Sequence, residues 1–168
     1  QIEKEAMEKA ISLAAGTANR IETVQRGVEK VVRASAARVQ DGERSPDRIR
    51  LILSRAVREN PEIFGAAFAY APRPTSKGTQ FHSPYVYRSQ GRLAYKDLGA
   101  ESYRYDIWDW YTLPRDLERP VWSEPYLDQG GGGALMVTYS VPVFEGSGPS
   151  RKLIGVITCD LTLDWLTD

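Results

Sequence analysis

The sequence has one cysteine, one histidine and no excess of charge of either sign. Cys159 has no partner for an internal disulfide, and a single cysteine with a single histidine cannot supply the clustered ligands of a zinc site. The 22 basic and 22 acidic residues give a formal net charge of zero, which provides no general attraction for nucleic acid. We therefore expect neither a metal site nor a nucleic-acid partner, and we interpret Cys159 as a core residue.

Nucleotide-binding motifs and long apolar runs are also missing. No GxGxxG or GxxxxGK[ST] pattern occurs, and the glycine run at 130–133 precedes a predicted strand, so we interpret it as a loop. No stretch approaches the roughly 18 consecutive apolar residues that span a bilayer. The sequence predicts no cofactor. Because it begins at Gln1 without Met, we expect it to be part of a longer protein.

The first 40 residues, by contrast, have the pattern of one long helix. They contain no proline, and small or apolar residues recur at spacings of three and four: Met7, Ala10, Ala14, Thr17, Ile21, Val24, Val28, Val31 and Ser35. About 38 helical residues span roughly 57 Å, which is too long for a domain of this size to cover. We predict a stalk helix that packs on the domain and on its own copy in a homodimer. The alternative is a core helix with a frayed start.

A second helix and a set of strands follow. Ser45 and Pro46 are typical of a helix N-cap and first turn, and Asn60-Pro61 ends the helix. Its apolar face consists of Ile49, Ile52, Leu53, Ala56 and Val57. Strands are predicted at 63–70, 81–88, 92–96, 134–144 and 153–161, with a loop at 72–80, a hairpin turn at 89–91 and a helix start at 162–168 capped by Thr162.

These elements predict an α+β fold, in which the long N-terminal helix packs on an antiparallel sheet of about five strands. We divide a single domain, 1–168, into a stalk helix (1–40), a core (41–161) and the start of an exit helix (162–168). In the strand at 134–144, alternate residues point to opposite faces. One face carries Leu135, Val137, Tyr139, Val141 and Val143; the other carries Met136, Thr138 and Ser140.

The segment 103–128 combines aromatic and acidic residues. Its aromatic residues include Tyr103, Tyr105, Trp108, Trp110, Tyr111, Trp122 and Tyr126, and its acids include Asp106, Asp109, Glu124 and Asp128. A hydrophobic core does not place so many acids beside aromatic rings, whereas a ligand pocket uses both. The alternative is a loop whose aromatic side chains simply cover one face of the sheet.

The second half of the chain resembles the Cache family of extracytoplasmic sensor domains. The resemblance lies in Trp110-Tyr111, the WSEPYLD segment at 122–128, the glycine run, and the segments MVTYSVPV at 136–143 and LIGVITCDL at 153–161. It implies a PAS-like antiparallel sheet with the long helix on one face and a small-molecule site on the other. It also implies the periplasmic part of an inner-membrane receptor, such as a histidine kinase, chemoreceptor, cyclic-dinucleotide enzyme or phosphatase.

The amino-acid-sensing branch of this family resembles the chain in its ligand-binding pattern. The matching residues are Tyr103, Trp110, Tyr111, Tyr126, Asp128 and Asp160. In that branch the acids and the first Tyr hold the ligand's ammonium group, and an Arg holds its carboxylate. Trp108 stands at the Arg position, and an indole ring cannot pair with a carboxylate but can face a cation.

We therefore predict a small amine or quaternary ammonium ligand, with Trp108, Trp110 and Tyr111 as walls and Asp128 and Asp160 as counter-charges. The first alternative is an amino-acid or small-carboxylate sensor in which Arg104 or Arg115 holds the carboxylate. The second is a ligand-free dimerisation and spacer module.

Asp160 and Asp128, the predicted counter-charges, could also have purely structural roles. Asp160 ends a row of Ile154, Val156 and Thr158 on one strand face, and a buried carboxylate needs a partner. That partner is a ligand ammonium, an internal Arg or the start of the last helix. Asp128 is also typical of a turn.

An enzyme is not expected, and we assign no catalytic residue. Paired acids and aromatic walls occur in glycoside hydrolases, but the acids here cluster in one loop and one strand end. His82 has no patterned Ser or Asp near it in the sequence, so we do not interpret it as a general base. Asp106 and Asp109 are predicted to cap a short helix that bears Trp110.

Overall fold

The structure, a computed structural model, describes residues 2–100, 103–127 and 134–164. Within these residues an antiparallel sheet carries two helices on one face and a short helix with loops on the other. The predicted α+β class is therefore confirmed. Over the described ranges, no helix is both long enough and apolar enough to cross a membrane.

Helix α1 spans Ile2–Gln40 and helix α2 spans Pro46–Glu59. Helix α2 begins where the sequence predicts, because the Ser45 hydroxyl accepts a hydrogen bond from the Arg48 backbone N–H at 3.4 Å and Pro46 occupies the first turn. All five residues of its predicted apolar face are buried.

Only the C-terminal part of α1 packs on the sheet. Its buried residues are Val28, Val32, Ala36 and Val39, whereas every described residue before Ile21 is exposed. Met7 is 63% exposed. The long helix is as predicted, and about half of α1 projects beyond the sheet.

Over the described ranges, the sheet has seven strands in the spatial order β5-β4-β1-β9-β8-β6, with β7 also paired to β8. All of these pairs are antiparallel. The strands are β1 (Gly65–Tyr70), β4 (Pro84–Ser89), β5 (Arg92–Asp97), β6 (Val121–Trp122), β7 (Tyr126–Leu127), β8 (Leu135–Glu145) and β9 (Lys152–Thr162). The five longer strands are the five that the sequence predicts.

Two local predictions are wrong. Residues 72–80, predicted as a loop, contain a separate hairpin of β2 (Arg73–Thr75) and β3 (Gly78–Gln80). Thr162 belongs to β9 and is not a helix cap, while residues 165–168 lie outside the described residues. The predicted turn between β4 and β5 is confirmed, with the left-handed backbone that a tight hairpin requires at Gln90 (φ 49°) and Gly91 (φ 74°).

The helix-facing side of the sheet holds the larger core. Tyr139, Val141 and Val143 of β8 pack there against α1 and α2, as their alternation predicts. Cys159 also lies in this core, and burial raises the pKa of its thiol well above the usual value, in keeping with a structural role.

The opposite face is covered by α3 (Asp109–Leu117) and the loops around it. A register shift between Val143 and Phe144 changes the direction of the neighbouring β9 residues. Leu153 packs on the α3 side, and Ile154 packs on the helix-facing core. The prediction that Ile154 shares a face with Asp160 is therefore wrong, because the bulge breaks the alternation.

Candidate functional site

A buried carboxylate lies on the face opposite α1 and α2. Asp160 is 5% exposed. Its Oδ1 accepts a hydrogen bond from the Thr138 hydroxyl at 2.7 Å, and its Oδ2 accepts one from the Tyr85 hydroxyl at 2.9 Å. Because Thr138 donates to Asp160, the Tyr126 hydroxyl, 2.6 Å from Thr138 Oγ1, donates to Thr138. A chain of hydroxyls thus fixes the carboxylate and makes its burial tolerable.

Small residues on β1 make this arrangement possible. Gly65 lies opposite Asp160 in the register of β1 and β9, and Ala67 lies opposite Thr158. Any Cβ at Gly65 would overlap the Tyr85 hydroxyl. The absence of a side chain at Gly65 therefore lets Tyr85 reach across β1 from β4 to the carboxylate.

The carboxylate borders a small cavity of about 10 Å³, called here the inner cavity, which has room for about one water molecule. Its walls and floor are formed by Tyr85, Leu98, Tyr103, Trp110, Tyr126, Ala67, Thr158 and Asp160. Thr158 is 2% exposed. Ser140, opposite Thr158 on β8, has a buried Oγ with no hydrogen-bond partner within the described ranges. The cavity therefore combines aromatic walls, one carboxylate and the Thr158 hydroxyl.

A second space, the outer cleft, adjoins the inner cavity and has a volume of about 240 Å³. It is lined by Ile107, Trp108, Asp109, Trp110, Ser123, Glu124, Pro125 and Tyr126. Trp110 and Tyr126 line both spaces and so form the partition between them. The Trp108 ring stacks on Tyr103 with a centroid separation of 6.0 Å and tilts against Tyr126 at 6.4 Å.

The predicted site residues fall into four groups. Tyr103, Trp110, Tyr126 and Asp160 meet at the inner cavity. Trp108 lines the outer cleft only. Tyr111 lines neither space; it is 1% exposed and packs edge-on against Tyr105 at 5.3 Å. Asp128 lies outside the described residues.

The two acids near α3 do not cap it as predicted. Trp108 is the N-cap residue and makes no side-chain capping bond. Asp106 instead accepts two hydrogen bonds of 2.7 Å from the Arg104 guanidinium, which lowers the pKa of the Asp106 carboxyl. Arg115 is similarly engaged by Asp116, at 2.6 and 3.1 Å. Neither arginine lines the inner cavity or the outer cleft.

His82 does have an acidic neighbour, contrary to the sequence-based interpretation. The pairing of β4 with β5 brings Asp97 Oδ2 to 2.5 Å from His82 Nδ1. Asp97 Oδ1 also accepts bonds from the Ser83 and Gly99 backbone N–H groups, both at 2.7 Å. This cluster joins the start of β4 to the turn that carries Leu98, one wall of the inner cavity.

Sequence reasoning missed Tyr85, Thr138 and Thr158 as site residues. Thr138 carried a signal, because it lies on the polar face predicted for β8. Thr158 carried one too, because the alternation of β9 places it on the face of Asp160. Tyr85 carried none, since only the spatial strand order β4-β1-β9 brings it to Asp160. Within the described part of the chain, no group of three His, Cys, Asp or Glu residues could hold a metal ion.

An antiparallel sheet with a long helix on one face and an aromatic-lined cleft on the other is typical of a PAS-like sensor fold. The chain belongs to the family of methyl-accepting chemotaxis protein-like first PDC sensor domains, whose family model matches residues 49–168. Members of this family serve as sensor domains of membrane receptors. The Cache-type assignment is thereby confirmed.

Solved structures are similar over most of the chain. The extracellular domain of soHK1S-Z6, a protein assigned as a histidine kinase, is 32% identical with a TM-score of 0.76, over 89% of this chain and 57% of that one. Methyl-accepting chemotaxis protein X is 20% identical with a TM-score of 0.78, over 99% of this chain and 66% of that one.

The ligand-binding domain of the Pseudomonas aeruginosa PAO1 amino acid chemoreceptor PctC, in complex with GABA, is 21% identical with a TM-score of 0.62. That match covers 91% of this chain and 62% of the other. The chain thus spans 57% to 66% of these three solved domains. No curated protein matches it in sequence.

Proposed function

We propose that this chain is the ligand-sensing domain of an inner-membrane receptor, that it lies in the periplasm, and that it binds a small amine or quaternary ammonium compound at the site formed by the inner cavity and the outer cleft. The observation that carries this proposal is the buried Asp160 carboxylate, which borders a cavity walled by Tyr103, Trp110 and Tyr126. Aromatic faces and a carboxylate together favour a cation, because the ring quadrupole and the acid both attract positive charge.

The charge of the lining separates this ligand class from ordinary amino acids. Among the described residues that line the inner cavity, none is basic. Arg104 and Arg115, the two candidate carboxylate partners, are each held by an aspartate outside both spaces. A ligand carboxylate would therefore lose its hydration without gaining an ion pair, which disfavours an amino acid or a simple carboxylate.

An amino-acid sensor remains the second candidate. PctC, a structure of the same fold, is described as an amino acid chemoreceptor and holds GABA, which has both an amine and a carboxylate. If amino acids bind this chain, the carboxylate must be held by hydroxyls such as that of Thr158 or by a rearranged arginine.

In this proposal, the ligand transmits a signal by shifting the population between two packings of the 103–127 segment on the sheet. A ligand that draws Tyr126 and Trp110 together closes the 103–127 segment on the sheet. Because Trp122 of the same segment contacts Glu29 of α1, closure changes the position of β6 against the stalk helix. The ligand must prefer one of the two packings, and coupling energies of about 1–3 kcal/mol are typical of such systems.

The exposed half of α1 is the proposed homodimer contact. Apolar side chains such as Met7 and Ile11 are 63% and 61% exposed there. Pairing with a second copy would bury them and carry the signal toward the membrane through segments that flank this chain. We keep the proposed division into a stalk helix (1–40), a core (41–161) and an exit segment (162–168).

No enzymatic role is proposed. His82 and Asp97 are a hydrogen-bonded pair, but Asp97 is also occupied by the Ser83 and Gly99 backbone N–H groups, and neither side chain lines the inner cavity or the outer cleft. The pair therefore orders the β4–β5 end of the sheet and has no access to a substrate in either space.

A thermal-shift screen tests the proposal. The purified domain is heated with amines, quaternary ammonium compounds, amino acids and small carboxylates. A ligand at a hundred times its dissociation constant adds about 2.7 kcal/mol, which raises the Tm of a domain of this size by about 5–10 °C. Stabilisation by amines supports the proposal. Stabilisation by amino acids alone favours the second candidate, and no stabilisation by any compound favours a ligand-free dimerisation module.

A further inference from the structure

We infer that the inner cavity binds the ammonium ion, so that the domain responds to ammonium itself, the smallest member of the proposed ligand class. The inference rests on the proposed binding of a cation beside Asp160 and names a narrower ligand for the same site. The size of the cavity, the charge of its lining and its hydrogen-bond acceptors together favour this ion.

The size of the inner cavity limits its occupant. Its volume of about 10 Å³ has room for about one water molecule. An ammonium ion is nearly the same size as water, whereas each added methyl group needs space that the walls already occupy. Two of the walls, Tyr103 and Tyr126, are themselves partly exposed, so a single layer of side chains separates the cavity from solvent on that side. A small ion can therefore exchange with solvent when one of these rings moves.

The charge of the lining favours a cation over a neutral water molecule. Asp160 is 5% exposed and is the only charged residue among the described residues that line the cavity. Tyr85 and Thr138 donate hydrogen bonds to its two oxygens, and hydroxyls stabilise a negative charge without neutralising it. The rest of the lining is largely aromatic, and aromatic rings attract cations. An ammonium ion brings positive charge next to this carboxylate within the room available, which a water molecule does not.

Hydrogen bonding separates ammonium from potassium, an ion of nearly equal size. The N–H groups of an ammonium ion donate hydrogen bonds, and two acceptors line the cavity: the Asp160 carboxylate and the hydroxyl oxygen of Thr158, which is 2% exposed. A potassium ion instead needs a shell of oxygens that replaces its hydration. Aromatic walls do not supply that shell, so we expect the cavity to prefer ammonium.

Nuclear magnetic resonance with isotope-labelled ammonium chloride locates the ion. The purified domain is titrated with this salt at constant ionic strength. The protons of bound ammonium should show nuclear Overhauser effects to the methyl group of Ala67, which lines the inner cavity and not the outer cleft. Effects to the ring of Trp108, which lines the outer cleft only, without any to Ala67 would overturn the inference.

A series of competing cations tests the limits of size and hydrogen bonding. Unlabelled methylammonium, tetramethylammonium and potassium chlorides are each added to the complex with labelled ammonium. Methylammonium should bind about tenfold more weakly than ammonium, because its methyl group overpacks the cavity, and tetramethylammonium should not compete. Potassium should bind about tenfold more weakly, because it donates no hydrogen bonds.

Two pairs of variants assign the binding to particular side chains. Thr158→Val removes one acceptor at nearly constant volume and should weaken ammonium binding about tenfold. Thr162→Val, on the same strand but outside the cavity lining, should leave it unchanged. Asp160→Asn removes the charge and should weaken binding at least about a hundredfold. Glu62→Gln, which removes an exposed acid that lines neither space, should bind like the wild type. Circular dichroism checks the fold of each variant.

The outcomes distinguish the inference from the proposed function. If ammonium shows no saturable binding while larger amines stabilise the domain, the inference is overturned and amine sensing stands. Equal affinity for potassium or tetramethylammonium, or unchanged ammonium binding in folded Thr158→Val and Asp160→Asn domains, would also overturn it. If neither ammonium nor any larger amine binds, the inference and the proposed function fail together.

Discussion

Trp122 donates a hydrogen bond from its indole Nε1 to Oε1 of Glu29, at 2.8 Å, and so connects β6 to the long helix α1. The same indole packs on Tyr139 with a centroid separation of 5.0 Å, and the Arg33 guanidinium of α1 lies 5.8 Å from the Tyr139 ring. Two residues after Trp122, Glu124 lines the outer cleft. One short segment thus contacts both the candidate site and the helix proposed to carry the signal.

A double-mutant cycle measures this contact. Trp122→Phe and Glu29→Ala should show a coupling energy of about 1 kcal/mol in urea unfolding, because each variant alone removes the same charge-assisted hydrogen bond. Replacing Glu29→Ala in the cycle by Glu22→Ala, at an exposed residue of α1 that pairs with Arg26, should give a coupling near zero. Equal coupling in the two cycles would contradict the contact.

Gly65→Ala is predicted to damage the fold and the site together. The added methyl group overlaps the Tyr85 hydroxyl, so the Tyr85–Asp160 hydrogen bond must break or β1 must shift. We expect a loss of about 1–3 kcal/mol in the free energy of unfolding. Gly27→Ala, at an exposed helical position with nothing near its Cβ, is the control and should stabilise the domain by about 0.5–1 kcal/mol. If Gly65→Ala left the free energy of unfolding unchanged, the close contact between Gly65 and the Tyr85 hydroxyl would not be required.

Removal of the first 20 residues should separate folding from self-association. Those described residues are all exposed, so their loss should change the free energy of unfolding by less than about 0.5 kcal/mol. Val32→Ala, in the buried half of α1, should cost about 2 kcal/mol by comparison. Sedimentation velocity should show that the truncated domain is monomeric at concentrations at which the whole chain dimerises. A truncated domain that still dimerises would contradict the proposed role of α1.

The acid end of the stability profile should depend on Asp97. Burial alone raises the pKa of this carboxyl, but hydrogen bonds from the Ser83 and Gly99 backbone N–H groups and from His82 outweigh burial, and the pKa is lowered on folding. The unfolded chain then binds the proton more tightly. The carboxylate therefore stabilises the fold above its unfolded pKa of about 4, and that stability is lost as the pH falls through the lower folded pKa.

Tm measured between about pH 2 and pH 6 tests whether folding lowers the pKa of the Asp97 carboxyl. Asp97→Asn should lower Tm near neutral pH and flatten its fall in acid, whereas Glu62→Gln should keep the wild-type profile. An Asp97→Asn profile parallel to the wild type would mean that other carboxyl groups govern the acid unfolding.

Local chemistry made some elements predictable. Ser45 and Pro46 define the start of α2 within a few residues, and Gln90-Gly91 forces a tight turn whatever surrounds it. The β2–β3 hairpin was missed because its proline and glycine are equally typical of an irregular loop. The bulge opposite Ile154 was missed because a register shift depends on the partner strand β8, which local alternation does not reveal.

The candidate site was predictable only where its residues are close in sequence. The aromatic segment pointed to Trp110 and Tyr126, but it could not show that Tyr111 faces the core while Trp108 faces the outer cleft. That division depends on how α3 rotates over the sheet. Tyr85 reaches Asp160 from 75 positions away, across a glycine whose lack of a side chain matters only once the strands are paired.

The binding of an amine by Asp160→Asn tests the central claim most directly. Asparagine keeps the size of the side chain and can accept a bond from Thr138 or Tyr85, so circular dichroism should show the native fold. Calorimetric titration with the amine that most stabilises the wild type should show affinity reduced at least about a hundredfold, as expected when a buried charge loses its counter-ion. Glu62→Gln should bind like the wild type. Unchanged affinity in a folded Asp160→Asn domain would contradict the account.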